Sequence, residues 1–135
     1  MAKPKRVTYF KTMLEDKPGT GLAFAQSLKA KKINLSALWA FGTQTGQSEV
    51  YLIPKDTDKF RDFVKSAGIT TSEGSGFILK GEDKAGALVK SLEALANAGV
   101  NVNAIHAIAA GGNFGAFVKV TDADIDKAAA ALAAK

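Results

Sequence analysis

The chain of 135 residues contains no cysteine, which removes disulfides, thiolate zinc sites and cysteine nucleophiles. Histidine occurs once, at position 106, so multi-histidine metal sites and most histidine-based triads cannot be assembled within one chain. No apolar run approaches the roughly 20 residues needed to cross a bilayer. The opening Met1-Ala2-Lys3-Pro4-Lys5-Arg6 leads into a strand-like segment and has no apolar core of a secretory leader. Together these shortages lead us to expect a soluble, cytoplasmic protein that is not an enzyme, with no catalytic residue, no metal and no cofactor. What is present is ordinary for a globular chain: 47% apolar residues and 23% charged ones, which excludes wholesale disorder. Charge is uneven. Residues 1–68 carry 12 Lys/Arg against 6 Asp/Glu, and residues 69–135 carry 6 against 7. The basic first half is compatible with a solvated surface or with an anionic partner.

A shift of 67 residues lays the chain on itself. It places Glu15-Asp16-Lys17-Pro18-Gly19 on Glu82-Asp83-Lys84-Ala85-Gly86, and Ile33-Asn34-Leu35 on Val100-Asn101-Val102. Over 15–41 against 82–108 there are eight identities in 27 positions without a gap. The identities include Glu, Asp, Lys, Gly and Asn, so biased composition does not account for them. The chain reads as a duplication with units at 1–71 and 72–135.

Each unit has the same pattern. Val7 to Leu14 is aromatic and β-branched and predicts a strand, matched by Phe77 to Lys80. The Asp-Lys-x-Gly turn then opens a helix. Leu35, Ala37, Trp39 and Phe41 alternate along a second strand, Gly42 to Gln47 turns, and Val50 to Ile53 returns as a hairpin. Phe60, Phe63, Val64 and Ala67 fall at i, i+3, i+4 and i+7 of a second helix, whose counterpart at 124–134 is alanine-rich. The order β-α-β-β-α-β predicts an α+β fold of two ferredoxin-like units, with helices on one face of an antiparallel sheet. Ile69-Thr70-Thr71 is expected to supply a fourth strand to the first unit, before a Glu73-Gly74-Ser75-Gly76 joint. The second unit, ending at Lys135, is expected to lack its last strand. That leaves a bare edge at 77–80, to be covered by Ile69–Thr71 bending back or by a second copy.

The repeated turn and the repeated Asn are the candidate site. Backbone N–H groups at a helix start attract a carboxylate, Asp16 adds a negative charge, and Asn34 both donates and accepts. The same residues have a purely local use: Asp16 and Asp83 as helix caps, Asn34 and Asn101 as turn residues. The unit pattern, with Asp16-Lys17-Pro18-Gly19 and Lys32-Ile33-Asn34-Leu35 in one copy and Asp83-Lys84-Ala85-Gly86 and Gly99-Val100-Asn101-Val102 in the other, resembles the ACT domain. The resemblance spans both repeats. It implies a regulatory module that binds an amino acid or related small ligand between paired units and reports the bound state to a partner, such as an enzyme or transporter. It implies ligand contacts at Asp16, Pro18, Gly19, Thr20 and Asn34, and at Asp83, Gly86, Ala87 and Asn101; the units could pair within one chain or between two, and the bare edge at 77–80 leads us to expect a homodimer. The first turn, with Pro18 where the second has Ala85, is expected to be the stronger site. The alternative is a nucleic-acid-binding module using the basic first half. Against it, Gly112 to Val120 puts Gly115 and Val120 where an RNA-recognition motif needs stacking aromatics.

Overall fold

The computed structural model describes residues 3–134. Along the chain run β1 (Lys3–Glu15), α1 (Thr20–Ala30), β2 (Leu35–Gly42), β3 (Gln47–Pro54), α2 (Thr57–Ala67), β4 (Ser72–Glu82), α3 (Val89–Asn97), β5 (Val102–Ala110), β6 (Asn113–Val120), a 3₁₀ turn (Asp122–Asp124) and α4 (Ile125–Leu132). The chain divides into two compact units. The first takes Thr8–Gly74; the second takes 75–134 together with residues 3–7 at the start of β1.

In the first unit the strand order is β2-β3-β1-β4, with β4 contributing only 72–74. β3 is antiparallel to both neighbours, with Phe10 opposite Leu52 and Trp39 opposite Tyr51. The period of two sends Phe10, Val50 and Leu52 to the helical side, where they pack with Phe24 and Leu28 of α1 and with Phe60, Phe63 and Val64 of α2. Asp56 caps α2 by accepting the Lys59 N–H at 3.1 Å, and Gly68 ends the helix at φ 68°, with the Ile69 N–H returning to Val64 O. On the opposite face the rings of Tyr9, Trp39 and Phe41 lie around Tyr51 at 5.5–6.1 Å between centroids.

The second unit repeats this order as β1-β4-β6-β5. Phe77 and Leu79 of β4 and Val118 and Val120 of β6 meet Leu95 of α3 and Ala128 and Leu132 of α4. Among the described residues no strand follows α4, and the correction concerns what covers the edge of β4. The fourth-strand position beside β4 is taken by the start of β1, anchored to α4 by an Arg6 Nη1–Asp126 Oδ1 pair of 2.9 Å. Ile69–Thr71 neither forms a strand nor bends back over 77–80. The boundary also differs from a contiguous cut at 71/72, because β1 and β4, of 13 and 11 residues, are each long enough to contribute to both units. The Glu73–Gly76 joint is likewise strand throughout. Its glycines serve close approach: a Cβ at Gly74 would run into the Tyr9 ring, and one at Gly76 into the Phe117 ring. Glu73, at the position equivalent to Arg6, pairs with Arg61 of α2 at 2.8 Å. The Arg61 guanidinium holds the Glu73 carboxyl below its ordinary value.

Candidate functional site

Both Asp-Lys-x-Gly turns leave their strand in the same way. The Asp16 N–H donates to Gly46 O at 3.0 Å and the Asp83 N–H to Gly112 O at 3.0 Å, which ties each turn to the tip of the following hairpin. Gly19 (φ 90°) and Gly86 (φ 75°) occupy the left-handed region, which explains the one glycine both turns keep. Neither aspartate caps a helix. The residue before α1 is Gly19 and the residue before α3 is Leu88, each without a side-chain cap bond. The local alternative for the aspartates therefore fails.

For the asparagines the local alternative holds. Asn34 Oδ1 accepts the Leu35 N–H at 3.0 Å, and Asn34 O accepts the Lys55 N–H at 2.9 Å. Asn101 Nδ2 donates to Asn103 Oδ1 at 3.3 Å. Each Asn sits at the start of its strand, whereas the turn lies near that strand's end. At about 3.3 Å per residue, an eight-residue β2 separates Asn34 from Asp16 by roughly 25 Å. Within a unit the candidate residues thus form two groups, turn and asparagine.

The second turn borders a groove of about 410 Å³. Asp83, Lys84, Gly86 and Ala87 form its rim; Leu88, Val89 and Leu92 of the α3 side and Ala107, Ile108 and Ala109 of β5 form its walls, with Phe114 from β6. Asp83, Gly86 and Ala87 are the residues expected from the sequence that it brings together; Asn101 lies outside it. Val89 is 56% exposed and Ile108 75%, an unusual cost for side chains of this kind unless something covers them. Sequence reading missed Val89, Leu92 and Ile108. The signal was available in the repeat: Leu22, Leu38 and Phe41 of the first unit fall on Val89, Ile105 and Ile108 of the second under the 67-residue shift. All six are exposed. They lie on the first helix and second strand of each unit, and β2 and β5 are the outer strands of their sheets.

No family model matches the sequence and no curated protein matches it, but solved structures do. A protein of Bacteroides thetaiotaomicron is 22% identical with a TM-score of 0.81, covering 98% of this chain and 88% of its own. The regulatory subunit of aspartate kinase from Thermus thermophilus, in a ligand-free form, is 13% identical with a TM-score of 0.65, covering 98% and 94%. A C-terminal regulatory domain assigned to an aspartate kinase of Porphyromonas gingivalis is 17% identical with a TM-score of 0.57, covering 98% and 94%. The fold is shared with these neighbours over almost their full length, so both repeat units are matched.

Other candidate features resolve simply. Among the described residues no group of three or more His, Cys, Asp or Glu could hold a metal ion, and no helix is long and apolar enough to cross a membrane. His106 is exposed on β5 opposite Phe117, not partly buried as its alignment with Trp39 suggests. On the aromatic face of the first unit, Lys11 bonds Glu49 at 2.7 Å, and this bond raises the lysine above its ordinary range. The pair neutralises the face locally, which does not favour a phosphate backbone there.

Proposed function

We propose that this chain is a regulatory protein that binds a small amino acid at the turn of its second ACT unit and is stabilised by it in a paired state. The groove at Asp83–Ala87 carries this reading. Its rim offers one carboxylate, on Asp83, and one ammonium, on Lys84, complementary to the two charges of an amino-acid backbone, while its walls are apolar. Its volume falls within the range of small-molecule sites.

Pairing follows from the edge. β5 presents an unpaired side and exposed Ile105 and Ile108, features that invite a second strand. Two copies meeting antiparallel about a two-fold axis bring the start of β5 in one copy beside its end in the other. Asn101 of one copy then approaches the turn of its partner, which would unite the two groups that a single unit keeps apart. A ligand held by both copies contributes binding energy only to the pair and shifts the population toward it. β2, with Leu38 and Phe41, offers the same arrangement to the first unit, where Asp16, Pro18, Gly19, Thr20 and Asn34 are the corresponding residues. The neighbours' description as regulatory subunits of aspartate kinase supports a role in reporting the bound state to an enzyme or transporter, without catalysis by this chain.

A thermal-shift panel of the twenty amino acids tests the binding. A ligand at 100 times its dissociation constant adds about 2.7 kcal/mol, which for a chain of this size raises the midpoint by roughly ten degrees. Asp83→Ala should abolish the shift while leaving the unliganded midpoint nearly unchanged. No shift with any amino acid, together with salt-sensitive retention of RNA, would establish the nucleic-acid alternative instead.

A further inference from the structure

The two turns share a backbone but differ at one strand position. In the first unit the Asp16 carboxylate lies directly over Gly42, the last residue of β2: a Cβ built on Gly42 would stand 2.5 Å from Asp16 Oδ2 and 3.4 Å from its Cγ. Under the repeat, Gly42 corresponds to Ala109 in β5. The methyl group that Gly42 lacks is therefore present in the second unit, at the place the equivalent carboxylate would occupy. A carboxylate placed on Asp83 as it is on Asp16 would meet this methyl group, and Asp83 and Ala109 both line the open groove.

We propose that this one strand position decides which turn accepts ligand. Gly42 lets Asp16 lie in the first turn as a built-in plug, whereas Ala109 holds Asp83 off and keeps the second turn open for an aliphatic amino acid. The inference rests on the reading of the groove as an amino-acid site and goes on to assign its occupant. Beyond the charges of Asp83 and Lys84, the side chain of the ligand meets Val89 and Leu92 of α3 and the methyl groups of Ala107 and Ala109, which offer no hydrogen bond and no charge. A leucine-like side chain gains by burial there; an aspartate or lysine side chain would lose its hydration without a partner. The proposal reverses the ranking expected from the sequence, in which Pro18 marked the first turn as the stronger.

Titration calorimetry of the full chain with L-leucine, L-aspartate and L-lysine tests it. Wild type should bind one L-leucine per chain and neither charged amino acid. Ala109→Gly should weaken L-leucine at least tenfold, while Ala109→Ser, which keeps the Cβ, should stay within about twofold. Gly42→Ala, at a position whose φ suits any residue, should displace Asp16 and raise the stoichiometry toward two. Equal affinity in wild type and Ala109→Gly, or one site in Gly42→Ala, overturns the plug. Preference for aspartate or lysine overturns the aliphatic assignment. Wild type that binds no amino acid at all overturns the underlying reading of the groove instead.

Discussion

Single residues carry the asymmetry between the two repeats. Lys32 and Gly99 occupy the same place after α1 and α3, and both take a left-handed backbone, at φ 57° and 73°. The hydrogen bonds that follow are also alike: the Ile33 N–H returns to Leu28 O and the Val100 N–H to Leu95 O, both at 2.9 Å. A helix end of this kind favours glycine, since a Cβ in the left-handed region costs about 1–2 kcal/mol. Part of that cost at Lys32 is offset by the Lys59 Nζ bond to Lys32 O at 2.9 Å, which a glycine would keep. Lys32→Gly should therefore stabilise the protein by about 1 kcal/mol in urea denaturation, after allowance for the added freedom of the unfolded chain. An unchanged or lower midpoint would mean that the lysine stem supplies packing the backbone geometry does not reveal.

At the scale of elements, the first residues of β1 are the least obvious part of the fold and the most exposed to test. Removing residues 1–7 should strip the outer neighbour from β4 in the second unit, so amides at 77–80 should lose protection in hydrogen exchange while those of β3 keep theirs. Retained protection at 77–80 would show that another segment covers the strand. The repeat made most of this architecture legible: aromatic alternation gave β1 and β2, the spacing of Phe60, Phe63 and Val64 gave α2, and the 67-residue shift gave the second unit from the first. It did not give the placement of residues 3–7. A local pattern says that a segment is a strand, but not which of two similar units it joins, and only the Arg6–Asp126 and Glu73–Arg61 pairs hint at it by their opposite charges. The Gly74–Gly76 stretch misled in the same way. Glycines that look like a joint are there to seat rings from a neighbouring strand. In the candidate site, the turn residues were legible because Asp and Gly recur at fixed spacing. The groove walls were less so, because Val89 and Ile108 look like ordinary core residues until their exposure is known.

For the whole molecule, the two units supply repeated turns, repeated apolar patches and repeated outer strands, and the second turn combines an open groove with an alanine in its lining where the first has Gly42. Binding and pairing are then two views of one equilibrium. If the ligand contacts both copies, it must tighten their association by the same factor by which association tightens its own binding. Sedimentation equilibrium at micromolar concentration, with and without saturating L-leucine, measures that link directly. The expected result is a dimer whose dissociation constant falls at least tenfold in the presence of L-leucine, with Ile108→Lys abolishing the effect. Binding of L-leucine that leaves the association constant unchanged would contradict the reading of the site as one completed by a second copy.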